Sequence, residues 1–115
     1  MKTIQHTQII ETVKNLSIEA NYDLGKDVVA VFKKGKEQEE SPTGKAMFSA
    51  LIKNQDIARN EQVPMCQDTG FSVIYIEVGQ DVHIEGDSIE DSVNEGVRQG
   101  YADGYLRKSM CEPFT

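Results

Sequence analysis

Apolar residues recur three or four positions apart along four stretches of the chain, and this spacing predicts four amphipathic helices. The predicted helices cover approximately residues 9–20, 24–35, 42–60 and 88–106. Asp23 is the predicted N-cap of the second helix, and Ser41 followed by Pro42 is a favourable start for the third. Either Asp87 or Ser88 would cap the fourth. The chain is therefore expected to be mainly helical.

A different pattern follows the third helix. Residues 71–78 are rich in β-branched and aromatic side chains, which favour a strand. Residues 79–81 form a turn sequence, and residues 82–85 would make a short return strand. The pattern predicts an α+β fold, mainly helical, with a β-hairpin after the third helix.

Three glycines recur every four residues in the last predicted helix: Gly96, Gly100 and Gly104. Each glycine costs about 1 kcal/mol of helix propensity relative to alanine. Close packing of this helix face against another backbone would explain why small residues stand there.

Composition narrows the class of protein. A hydrophobic content of 38% and a charged content of 27% over 115 residues are typical of one folded domain. Acidic residues outnumber basic ones 19 to 12, which argues against a nucleic-acid partner. No apolar run approaches the ~20 residues of a membrane span, and the first residues are too polar for a signal peptide. We therefore expect a cytoplasmic protein with reduced thiols and no membrane partner.

Candidate chemistry is concentrated in residues 64–70 (PMCQDTG), between the third helix and the predicted strand. A thiolate at Cys66 could ligate iron. Gln67 can donate and accept hydrogen bonds and ionised Asp68 can accept them, which suits a polar organic acid. The alternative is structural: a single cysteine is often a small buried side chain, and Asp-Thr-Gly often forms a turn.

This loop resembles the N-terminal part of the α subunit of class I fumarate hydratase and of its relative L(+)-tartrate dehydratase. Both are oxygen-sensitive iron-sulfur hydro-lyases. Further resemblance lies in residues 71–78, 95–97 (EGV) and 106–109 (LRKS), and more loosely in 40–45 (ESPTGK). The resemblance implies that residues 1–115 are the N-terminal part of an α-subunit catalytic region, cut off soon after Arg107.

The same resemblance implies a 4Fe-4S cluster held by three cysteines, with Cys66 as the first ligand. Gln67 and Asp68 would contact the substrate and Arg107 would bind a substrate carboxylate, whereas Cys111 receives no metal role. The implied reaction is the reversible hydration of fumarate to L-malate, with L(+)-tartrate dehydration as the alternative. The substrate would be a C4 dicarboxylate in either case.

The family implies that most proton-transfer residues lie elsewhere, so no residue of this chain is assigned as the catalytic acid or base. A β subunit or a C-terminal domain would carry the rest of the site. We therefore expect a homo-oligomer or hetero-oligomer, and an isolated chain without activity.

Two alternatives belong to other functional classes. If the chain is complete, it could be a non-catalytic module in which Cys66 is structural, without iron or oxygen sensitivity. A thiol enzyme would instead pair Cys66 with His6 or His83, although the sequence places neither histidine beside the thiol. His83 could equally be an exposed or hydrogen-bonded structural imidazole.

Overall fold

A computed structural model of the chain describes residues 1–113 and contains four helices and two short strands in that range. In chain order these are β1 (Lys2–Gln5), α1 (His6–Tyr22), α2 (Lys26–Gln38), α3 (Pro42–Glu61), β2 (Val82–Glu85) and α4 (Ile89–Asp103). The four predicted helices and the mainly helical α+β class are confirmed. None of the helices within 1–113 is both long enough and apolar enough to cross a membrane.

Two of the predicted helix starts are confirmed by their capping bonds. The hydroxyl of Ser41 accepts a hydrogen bond from the Gly44 amide at 3.3 Å, with Pro42 as the first helical residue of α3. The hydroxyl of Ser88 accepts one from the Asp91 amide at 3.1 Å at the start of α4. These side chains satisfy amides that the first helical turn leaves without a partner.

The predicted cap of α2 is wrong. Gly25 is the N-cap of this helix, and Asp23 instead ends α1. The Asp23 carboxylate accepts hydrogen bonds from Arg59 at 2.6 Å and from Gln55 at 3.2 Å. Because these bonds direct the carboxylate toward α3, Asp23 does not cap the helix that follows it.

The predicted β-hairpin is also wrong. β2 pairs in parallel with β1, in a register that runs from Lys2 opposite Val82 to Gln5 opposite Glu85. Residues 71–78 have no strand partner among the described residues. The sequence analysis missed β1 because this strand is only four residues long and carries polar side chains at both ends.

The best-packed part of the described chain lies between α1 and α4. A Cβ atom built on Gly96 would lie 2.8 Å from the carbonyl oxygen of Ile10, and one on Gly100 would lie 2.9 Å from that of Lys14. The prediction of close backbone packing is therefore confirmed for Gly96 and Gly100, whereas Gly104 is the C-cap of α4 and its Cβ would meet the Ile18 side chain. Beside this contact is a cluster of buried or half-buried apolar residues: Tyr22, Tyr101, Leu106, Ile18 and Val97.

The helices α2 and α3 pack against each other and form a second part of the fold. The buried side chain of Gln55 in α3 accepts a hydrogen bond at 2.8 Å from the amide of Leu24, which lies in the connection between α1 and α2. The radius of gyration is 18.1 Å, whereas a compact chain of this length would have about 13 Å. The described residues therefore do not close around one central core.

Candidate functional site

The loop that carries Cys66 is fixed where it leaves α3. The helix ends at Gln62, which adopts a left-handed backbone with a φ of 54°. Beyond it, the Met65 amide donates to the Asn21 carbonyl at 2.9 Å, and the Met65 carbonyl accepts from the Asn54 side chain at 2.8 Å. Because these bonds reach both α1 and α3, the loop starts from a defined position next to Cys66.

Cys66 is exposed and has no disulfide partner. Its thiol donates a hydrogen bond to the side-chain oxygen of Gln67 at 3.3 Å. Residues 1–113 contain no group of three or more His, Cys, Asp or Glu side chains that could hold a metal ion. An accessible thiol fits one ligand position of a cluster, but the described residues do not supply a full ligand set.

Asp68 is held by two hydrogen bonds on the same oxygen atom. Its Oδ1 accepts from the Gly70 amide and from the Ser109 hydroxyl, both at 2.9 Å. These bonds, in that order, lower the pKa of Asp68, and the positive charge of Arg107 lowers it further. The side chain is therefore an ionised acceptor at neutral pH, and neither bond uses Oδ2.

Gly70 has a backbone conformation that favours glycine. Its φ is +62°, in the left-handed region where a Cβ atom is unfavourable. Apart from its chain neighbours, no atom of residues 1–113 lies within 4 Å of the position that a Cβ would occupy. The constraint on this residue is therefore conformational, and it allows the Gly70 amide to turn back onto Asp68.

The backbone of Arg107 is tied to the same loop. The Thr69 hydroxyl donates to the Arg107 carbonyl at 2.8 Å, and the Tyr101 hydroxyl donates to the Thr69 carbonyl at 3.4 Å. Leu106 is buried and fixes the turn that follows α4. The structure thus brings the predicted residues Asp68 and Arg107 into one neighbourhood, although they are far apart in sequence.

Ser109 is the contact that the sequence analysis missed. In the sequence, Ser109 stands out only as the last residue of the LRKS motif. In the structure, its hydroxyl connects the segment that follows α4 to Asp68. The position of Ser109 two residues after Arg107 does not predict this hydrogen bond. Cys111, by contrast, is exposed and forms no disulfide.

The two histidines are not hydrogen-bonded to Cys66. His6 Nδ1 lies 3.3 Å from the Glu85 carbonyl, and its Nε2 lies 3.7 Å from the Asp87 carboxylate. His83 is in β2, opposite Thr3 of β1. A thiol enzyme needs a base within hydrogen-bond reach of the nucleophile, and no histidine of the described residues has that contact.

Comparison with known proteins adds two similarities. The model of a family described as "Fumarate hydratase (Fumerase)" matches residues 10–115. A protein of Methanocaldococcus jannaschii named "Putative L(+)-tartrate dehydratase subunit alpha" is 33% identical over 76 residues. The aligned region covers 66% of this chain but only 27% of that relative. The match thus spans about a quarter of the relative's own length.

Proposed function

The chain belongs to the fumarate hydratase (Fumerase) family, and from this membership we propose that the protein is a hydro-lyase acting on a C4 dicarboxylate. The preferred reaction is the reversible hydration of fumarate to L-malate. Dehydration of L(+)-tartrate is the second candidate, because the relative from Methanocaldococcus jannaschii carries that name. The observation that supports a shared site best is the pair of hydrogen bonds joining the Asp68 loop to residues 107–109.

We assign Cys66 one ligand position of a 4Fe-4S cluster. The exposed thiol suits this role, and the remaining ligands would come from residues outside the described chain. A bound cluster with an open iron position supplies a Lewis acid that polarises a substrate oxygen. The proposed role of this chain is therefore to provide one cluster ligand and to orient the substrate beside it.

The substrate contacts follow from charge. The guanidinium of Arg107 presents a planar fork that can bind one substrate carboxylate through two hydrogen bonds. Gln67 adds a neutral donor and acceptor next to Cys66. Asp68 is ionised and would repel a carboxylate, so we assign its Oδ2 atom to a substrate hydroxyl or a water molecule.

The rest of the site is assigned to other parts of the protein. We propose that a C-terminal domain or a β subunit supplies the acid or base that moves the C3 proton, and that residues 1–115 form the N-terminal part of the catalytic region. The word "subunit" in the relative's name supports an assembly of more than one chain. We further propose a cytoplasmic location and no nucleic-acid or membrane partner. The isolated chain is expected to be inactive.

Cys66→Ser in the complete protein tests the cluster assignment. We expect loss of the visible charge-transfer absorbance after anaerobic reconstitution with iron and sulfide, together with loss of hydration activity, because serine removes a thiolate ligand. Cys111→Ser is the control and should keep both properties. A Cys66→Ser protein with the iron content and activity of the wild type would overturn the proposal and favour the structural module.

Arg107→Ala tests substrate binding. Loss of a charge-assisted hydrogen bond costs about 1.5–3 kcal/mol, so KM for the dicarboxylate should rise roughly 10-fold to 100-fold. Lys108→Ala is the matched control, because it removes the same charge from the adjacent exposed residue. Equal KM changes in the two variants would show only a general charge effect. The assay should compare fumarate, L-malate and L-tartrate.

A further inference from the structure

An apolar surface is left uncovered directly after the candidate site. It consists of residues 71–78, which have no regular secondary structure and lie between the Cys66 loop and β2 in the chain. Tyr75 is 93% exposed, and Val73 is 61% exposed. Contiguous apolar surfaces of this kind usually mark an interaction site.

The backbone of this segment is also without partners. Within residues 1–113, no backbone hydrogen bond joins any residue of 71–78 to another main-chain group. The segment contains no proline, so each of its residues has both an amide donor and a carbonyl acceptor. Its β-branched and aromatic residues favour a strand, and an unpaired strand is a template for the addition of another one.

Both faces of the segment would be mainly apolar in a strand. Side chains of a strand alternate in direction, so Phe71, Val73 and Tyr75 would share one side with Glu77. Ile74, Ile76 and Val78 would share the other side with Ser72. Edge strands facing water alternate apolar and polar residues, whereas continuous apolar runs are typical of strands inside a sheet that is covered on both faces.

The described part of the chain does not fill the space around this segment. A cavity of about 550 Å³ lies between residues 71–75 and Val13, Leu16 and Ala20 of α1. A second cavity, of about 490 Å³, lies between residues 74–77 and apolar residues of β1, α1 and β2. Both spaces are open clefts lined largely by apolar side chains, which the described residues leave uncovered.

We propose that residues 71–78 form an inner strand of a β-sheet that is completed by another part of the same polypeptide. The supporting fact is length, because about three quarters of the matched tartrate dehydratase subunit lies outside the 27% that aligns. The segment carries one charged residue, Glu77, so the occupant is expected to present apolar strands rather than a charged surface. This inference rests on the proposed function, since the added strands would dock beside the Cys66 loop.

A second copy of the chain explains the segment less well. Two copies of residues 71–78 could pair with each other about a two-fold axis, but each would then gain a neighbour on one edge only. The other edge and one apolar face would stay exposed, which favours open-ended aggregation. An inner strand has neighbours on both edges and leaves neither exposed.

Hydrogen exchange can test the inference on the complete polypeptide as its gene encodes it. We expect amides of 71–78 to exchange at least about 100-fold more slowly there than in the 115-residue chain, because strand pairing protects amides. Val73→Asp should lower the melting temperature of the complete protein more than Val31→Asp does. Val31 is the matched control because it is 64% exposed on α2.

Several results would overturn the inference. These are fast exchange of the amides of 71–78 in the complete protein, an open reading frame that ends at Thr115, and equal decreases in melting temperature for the two aspartate variants.

Two further results would assign the surface to another occupant. Protection that rises with the concentration of the 115-residue chain would assign it to a second copy. Protection that requires a separate subunit would assign it to that subunit. Fumarate and tartrate assays on the same samples, with the β subunit added where the gene for one accompanies this chain, separate the two proposals. Protection without activity in that complete assembly contradicts only the proposed function. Activity without protection contradicts only this inference.

Discussion

The contact between α1 and α4 and the segment 71–78 represent opposite situations in one short chain. In the first, Gly96 and Gly100 let two backbones meet, and the buried hydroxyl of Tyr22 donates to the Gly104 carbonyl at 2.7 Å. In the second, apolar side chains are exposed and the described structure leaves the backbone unpaired. The difference is that contacts within the chain stabilise the helix pair, whereas the described residues give the segment no comparable contacts.

The candidate site lies between these two regions and depends on the first. Thr69 and Ser109 connect the Cys66 loop to the turn after α4, and Leu106 anchors this turn in the buried cluster. The positions of Asp68 and Arg107 are therefore set by the helix pair. The remaining ligands and the acid or base are proposed to come from residues outside the described chain.

The largest expected effect is that of Gly100→Leu, which breaks the helix contact. A Cβ at this position already lies 2.9 Å from the Lys14 carbonyl oxygen and from Ser17 Cβ. A leucine side chain would force the helices apart, and we expect the free energy of unfolding to fall by about 3 kcal/mol. Urea denaturation followed by circular dichroism measures the change.

Gly79→Leu is the control for this substitution. A Cβ on Gly79 would meet only Val82 Cγ2 at 3.6 Å, an ordinary contact distance. Its effect should stay within about 0.5 kcal/mol, as is usual for exposed sites. Equal losses in the two variants would contradict the view that the glycines of α4 are required by close packing.

The sequence predicted the helix pair well because its determinants are local. Apolar spacing located the helices, and the glycines of α4 indicated a close backbone contact before any partner was known. Strand pairing could not be predicted in the same way, because Lys2 and Val82 are about eighty residues apart and β1 carries polar residues. The residue pattern instead favours the neighbouring apolar run, residues 71–78, as the partner of β2.

The site was predictable only in part, and for a similar reason. The Cys66 loop stands out through its residue types, and its resemblance to a family suggested Arg107. The bonds that bring these residues together, from Thr69 and from Ser109, depend on the turn after α4. Such contacts between distant loops follow no periodic pattern, so the sequence alone could not place them.

An intermediate effect is expected for Tyr22→Phe, which tests the buried polar contact of the helix pair. The variant keeps the ring but leaves the Gly104 carbonyl without its donor. A buried acceptor without a partner costs about 1–3 kcal/mol, so the free energy of unfolding should fall by that amount. Tyr105→Phe, at an exposed position, is the control and should have no measurable effect.

The smallest effect is expected for Tyr75→Ser in the 115-residue chain. The side chain is 93% exposed, so its loss should change the free energy of unfolding by less than about 0.5 kcal/mol. In the complete polypeptide, where the proposed sheet would bury the ring, the same substitution should cost about 1.5–3 kcal/mol. The free energy of unfolding should be measured for both proteins. The additional loss in the complete polypeptide then reports how much the proposed sheet stabilises the segment. A loss of less than about 0.5 kcal/mol in both proteins would mean that Tyr75 remains exposed to water. The segment 71–78 would then be an ordinary exposed loop.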